Sequence, residues 1–174
     1  PKKKLHSDDP MITQECKDSE KWDVKDLIYC VGNVDGSKIK LLSFVYGECY
    51  SANKDFYEKV RSSMIKGIKD IGLTLSKTNE LAKVKMIDPL KITDLRVRGM
   101  WHMKSPSAVF QNFIRVFPEK EMSVHAIIPN DIFESFPNSD KSIVKRMFAV
   151  SSILIPNPDN PNTKIKAKHI CFSL

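Results

Sequence analysis

Residues 24–46 read VKDLIYCVGNVDGSKIKLLSFVY, and their reading decides the fold class. Two runs rich in β-branched and aromatic residues, 24–31 and 38–46, flank a short polar turn. Asp35-Gly36 is the strongest turn signal, because glycine takes the positive φ that a tight hairpin loop demands. In the returning run Ile39, Leu41, Ser43 and Val45 alternate with Lys40, Leu42, Phe44 and Tyr46. Both sets are mostly apolar beyond Leu41, so this strand is expected to be covered on both faces. A hairpin at the start of the folded part points to a sheet built mainly of antiparallel strands.

Working outward, residues 53–71 form the clearest helix. Phe56, Tyr57, Val60, Met64, Ile68 and Ile71 fall on one stripe, and Gly72 suits a helix stop. Short strands are expected near Leu81–Met86 and over 91–98, where a phase slip at Asp94 suggests a bulge. Residues 107–117 fit either a strand or a short helix. Residues 121–128, 149–155 and 163–172 alternate as strands, with a short helix over 141–148 and a turn-rich loop at 156–162. In the last strand Lys164, Lys166 and Lys168 share one face, and Ile165, Ala167, His169 and Cys171 share the other. Strands do not alternate with long helices, which argues against a doubly wound parallel fold. The expectation is an α+β fold: a mainly antiparallel β-sheet packed by one long helix and one or two short helices.

Residues 1–23 read differently. They open with a basic cluster, Lys2-Lys3-Lys4, and continue with acids, Asp8 to Asp23, among few aliphatic residues. Such a segment does not repay its own ordering entropy. We therefore expect a flexible tail over 1–23 and a single α+β domain over 24–174. The chain has 174 residues, enough for one domain. No apolar run is long enough to span a bilayer, and the start lacks the apolar core of a signal peptide.

The four cysteines, Cys16, Cys30, Cys49 and Cys171, form no CxxC pair, and they suggest a reducing compartment. A Cys30–Cys49 bridge across the hairpin is conceivable but not expected. The four histidines are equally scattered, so no zinc site is expected. No Walker loop, GxGxxG, GxSxG or HExxH occurs. Asp8-Asp9 is adjacent rather than i,i+2, and it is assigned no metal. His102 and His125 are the acid–base candidates, and both are read as structural. The expectation is no enzyme, no catalytic residue, no metal and no cofactor.

Positive charge remains. Lys plus Arg is 28 against 21 acids, a net charge of +7, which favours phosphate-bearing partners. Three basic features form the candidate membrane- or phosphate-binding set. The first is Lys2, Lys3 and Lys4. The second is Arg96, Arg98 and Lys104 around Trp101, a ring suited to a membrane interface or to base stacking. The third is the row Lys164, Lys166 and Lys168, which suits either edge protection or a phosphate track. Phe133 and Phe136 are the candidates for self-association.

The basic start, the strand pair at 24–46, the helix at 53–71, the strand series that follows and the last strand at 163–172 together resemble the matrix proteins of rhabdoviruses. The likeness is to the small, cytorhabdovirus-like ones of plant-infecting members. No Pro-Pro-x-Tyr motif occurs in the tail, unlike many animal-virus relatives. The resemblance implies a non-enzymatic structural protein of virion assembly that forms a homo-oligomer. It would bind anionic membrane and ribonucleoprotein, or a nucleic acid backbone, in the cytoplasm at the membrane periphery and in the virion. The alternatives are a nucleic-acid-binding protein acting through its basic surface (RNA-binding included) and a protein-interaction module.

Overall fold

The computed structural model describes residues 11–13, 27–76, 82–97, 100–102 and 104–174. They sort into two compact units. One takes in the described residues of Pro1–Trp22 and Lys54–Lys104; the other takes in those of Asp23–Asn53 and Ser105–Leu174.

In chain order the elements are β1 (Met11–Thr13), β2 (Ile28–Asp35), β3 (Lys38–Tyr46), α1 (Lys54–Asp70), β4 (Ala82–Val84), β5 (Leu95–Val97) and β6 (Met100–His102). Then come α2 (Pro106–Val109), β7 (Ser123–Pro129), α3 (Asn130–Ser135), α4 (Asn138–Met147), β8 (Ala149–Asn157) and β9 (Asn160–Ser173). The fold is α+β, with one dominant sheet and helices of different lengths.

The second unit is built on a five-stranded sheet in the order β2-β3-β7-β9-β8. The hairpin read from residues 24–46 is its first pair, with Asp35 facing Lys38 across the turn. Gly36 has φ of 59°, the sign that the first central residue of a two-residue hairpin loop requires. β3 and β7 run parallel, while β2–β3, β7–β9 and β8–β9 are antiparallel. A parallel neighbour needs a long crossover. Here the segment between β3 and β7 carries the whole of Lys54–Lys104, the larger part of the first unit.

The alternation read in β3 is the burial pattern observed: Leu41, Ser43 and Val45 are buried, while Leu42, Phe44 and Tyr46 are half-buried. The buried face continues through Ile127 of β7, Ile153 and Ile155 of β8, and Ala167 of β9. Cys49, Phe110 and Ile114 complete the core. Burial of these side chains contributes roughly 1.5–3 kcal/mol for each large aliphatic or aromatic group. Residues 107–117 are no strand. Ser105 caps the single turn of α2 by accepting from the Ala108 N–H, and the chain then lays Phe110 and Ile114 into the core.

In the first unit α1 ends as Gly72 predicts. The Leu73 N–H donates to Ile68 O and the Gly72 N–H to Lys69 O, with Gly72 at φ of 79°. Of its stripe, Phe56, Met64 and Ile71 are exposed, and Val60 and Ile68 are half-buried. β4 pairs with β5 and β1 with β6, both antiparallel. Between β4 and β5, the Asp88 carboxylate accepts from the N–H groups of Leu90, Ile92 and Thr93. That loop holds Lys91 at a positive φ of 58°. Among the described residues no helix is long and apolar enough to cross a membrane.

Candidate functional site

Along its buried face the sheet changes character. Where β3, β7 and β9 run side by side, Val45, Ile127 and Ala167 give way to Ser43, Ser123, His125, His169 and Cys171. The register explains the gathering. Cys171 lies directly opposite His125 across the β7–β9 pair, and His169 precedes Cys171 by two residues on the same face.

His125 is fully buried, yet both of its ring nitrogens are engaged. Nε2 lies 3.0 Å from Arg115 O and Nδ1 lies 3.0 Å from His169 Nε2. A carbonyl only accepts, so His125 Nε2 carries the hydrogen. In the neutral ring Nδ1 is then the acceptor, and His169 Nε2–H donates to it. The planes of the two imidazoles are parallel within 4°. The Phe117 ring stacks on His125 at 5.9 Å, and the Phe113 ring lies 5.8 Å from His169. The Arg115 guanidinium sits over Phe117 at 5.1 Å.

The electrostatics keep this pair neutral. Burial lowers the His169 pKa to about 4, and the neighbouring His125 adds to the effect. Burial also lowers that of His125; the bond to Arg115 O opposes this and the Arg115 charge reinforces it. The Cys171 thiol is pushed up by burial, with Arg115 pulling the other way. Ser123, two residues before His125 on the same face, is fully buried, and its hydroxyl has no hydrogen-bond partner among the described residues. The ligand atoms of His125, His169 and Cys171 all lie within 4.8 Å of one another. Histidines that read as scattered in the sequence are thus brought together with Cys171 in the fold. Sequence distance is a poor guide to this, because the strand order β7-β9 closes the gap. The alternation in β9 already places His169 and Cys171 on one face; the strand that lies beside them is what the sequence does not reveal.

Of the candidate basic residues, Arg96 and Lys104 belong to the first unit and Lys164, Lys166 and Lys168 to the second. Lys2, Lys3, Lys4 and Arg98 lie outside the described residues, as does the side chain of Trp101, whose backbone belongs to β6. Arg96 on β5 and Lys104 are exposed. Lys164 and Lys166 are exposed on β9. Lys168 is not equivalent to them: its Nζ donates to Ser152 Oγ at 2.9 Å and lies 3.8 Å from a Glu134 oxygen. Edge protection suits Lys164 and Lys166, where β9 pairs with β8 alone, but not Lys168, where β9 lies between β7 and β8. Phe133 is fully buried, and Phe136 is half-buried against it with ring centroids 5.9 Å apart. Cys30, Cys49 and Cys171 are free thiols, so no Cys30–Cys49 bridge forms.

Comparison with known proteins decides the family. The profile of the NgoPII restriction endonuclease family matches residues 1–158. The chain belongs to the NgoPII restriction endonuclease family. It is 45% identical over 178 aligned residues to the type II restriction enzyme NgoPII of Neisseria gonorrhoeae, an alignment that takes in 100% of this chain and 64% of that protein. The chain therefore spans a little under two-thirds of the length of this curated relative. No solved structure matches.

Membership in the NgoPII family overturns the matrix-protein resemblance, which rested on size, basicity and the order of elements and on no residue constellation. The expectations that came with it fall too: a non-enzymatic assembly protein, anionic membrane and ribonucleoprotein as partners, and a virion or membrane-peripheral location. A charge balance of +7 is shared by proteins that meet phosphate in lipid and those that meet it in nucleic acid, and alone it does not choose between them. The expectation of no enzyme is overturned by the same match, since the family is one of endonucleases.

Proposed function

We propose that this chain is an endonuclease that hydrolyses phosphodiester bonds in double-stranded DNA. The observation that carries the reading is the family match across residues 1–158, joined by 45% identity along the whole chain to a restriction enzyme. The positive balance of the chain supports it, since phosphate neutralisation supplies most non-specific DNA affinity.

Phosphodiester hydrolysis is commonly assisted by hard divalent cations such as Mg2+, which take oxygen ligands and stabilise charge on the phosphate and leaving oxygens. Among the described residues the group of three candidate ligands is His125, His169 and Cys171, a nitrogen and sulfur set that does not fit such an ion. The sequence offers oxygen donors elsewhere. Asp8, Asp9 and Glu15 fall within ten residues of Lys17, on either side of β1, and all lie inside the family match. The adjacency of Asp8 and Asp9 and the lack of apolar pattern around them make these acids inconspicuous in the sequence. The signal they do carry is an ammonium two residues from a carboxylate, beside the triplet Met11-Ile12-Thr13. The same spacing occurs at Asp23-Val24-Lys25, and we propose Glu15 with Lys17, the pair nearer Asp8 and Asp9, for the hydrolytic chemistry.

The test is conversion of supercoiled plasmid by the full chain with Mg2+. Wild type should nick or linearise it. Glu15→Gln should lose at least 100-fold in rate while keeping its salt-dependent affinity for DNA. Absence of any conversion by the wild-type chain would overturn the nuclease reading; full activity in Glu15→Gln would remove only that residue from it.

A further inference from the structure

The cluster on the buried face of the sheet has a chemistry that the nuclease reading does not use. We propose that His125, His169 and Cys171, brought together by the β7–β9 register, bind a borderline-soft divalent transition metal ion of the Zn2+ class that pins these two strands. This inference stands on the cluster's own geometry and not on the assignment of nuclease activity.

Two imidazoles and a thiolate are the donors such an ion selects. In a tetrahedral zinc site the ligand atoms stand roughly 3.3–3.7 Å apart, as follows from metal–ligand bonds of about 2.0–2.3 Å. Here the three donors already lie within 4.8 Å of one another, and the two nitrogens stand at 3.0 Å. The surroundings are those of a metal-bound histidine. His125 Nε2–H donates to Arg115 O, which fixes the tautomer and leaves Nδ1 as the atom to bond the ion. Phe113 and Phe117 supply an apolar wall. His125 is held rigidly by burial, while His169 and Cys171 are half-buried, so an ion has an approach from their side.

On binding, the hydrogen on His169 Nε2 moves to Nδ1, and Nε2 takes the metal. The Cys171 S–H bond breaks and its proton leaves to solvent as the sulfur–metal bond forms. The ion thus replaces the hydrogen bond between the rings. Solvent completes the fourth position.

The test uses the full chain, freed of metal by chelator and titrated with Co2+, then with Zn2+. Co2+ should bind at one equivalent, with intense visible bands of a tetrahedral ion and a near-ultraviolet thiolate charge-transfer band. One equivalent of Zn2+ should abolish both. Cys171→Ser should lose the charge-transfer band, and His169→Gln should weaken Co2+ binding at least tenfold. Circular dichroism of each variant guards against a simple failure to fold. Unfolding of both variants would be met by a second measurement on wild type, in which bound Zn2+ shifts the imidazole NMR signals of His125 and His169. No stoichiometric uptake, a charge-transfer band that survives in Cys171→Ser, or unmoved imidazole signals at saturating Zn2+ would overturn the proposal.

Discussion

The ring of His125 has its protonation settled by its neighbours. One nitrogen must donate to a carbonyl, and the other must accept from His169. The lowered pKa of each ring keeps both neutral near pH 7 in the folded, metal-free chain, and the His169 pKa of about 4 lies below its ordinary 6.5. Between those values the unfolded chain binds more protons than the folded one. Stability is then full above about pH 6.5 and declines as pH falls toward 4. Thermal melts in the presence of chelator should show this decline, and His169→Gln should flatten it. An identical slope in the variant would contradict the assignment. None of this was legible in the sequence. His125 and His169 each look like a lone histidine in a strand, and only the choice of strand neighbours reveals a pair.

At the scale of elements, most of the sheet could be read in advance. The β2–β3 hairpin follows from Asp35-Gly36 and from the alternation of β3. The two faces of β9 follow from its lysines. What could not be read was β9's position: between β7 and β8 over residues 167–171, then paired with β8 alone on the side of Ala167 toward the hairpin turn. Local alternation carries no information on which strands become neighbours. The distal part of β8–β9 is thus a two-stranded ribbon that presents Lys164 and Lys166, while Lys168 is tied to Ser152. A ribbon of this kind suits an approach to a phosphate backbone. We predict that Lys164→Glu with Lys166→Glu weakens duplex binding across unrelated sequences. It should also lower the slope of log affinity against log salt by about 0.9 for each phosphate no longer neutralised. Lys168→Ala should leave that slope unchanged. Equal slopes in wild type and the double variant, measured by fluorescence anisotropy, would show that the ribbon does not engage phosphate.

At the scale of the molecule, the α+β class followed from the sequence because strands and helices are punctuated by strong turn and capping residues, as at Gly36 and Gly72. The function did not follow. Its candidate residues stand in a charged segment without apolar period, at Asp8, Asp9, Glu15 and Lys17, and the donor cluster assembled from distant strands is separate from them. The described residues form two units, and the larger part of the first, Lys54–Lys104, is interposed in the crossover from β3 to β7 of the second. Family membership supplies what neither local pattern contained, and it turns the surplus of lysine and arginine from a general affinity for anions into a reason to expect DNA.

The proposal that this chain hydrolyses duplex DNA is tested most directly by incubating duplex DNA with the full chain and Mg2+ and following the products. Shorter fragments that no longer form when Mg2+ is chelated are expected. Intact duplex at every Mg2+ concentration would contradict the proposal.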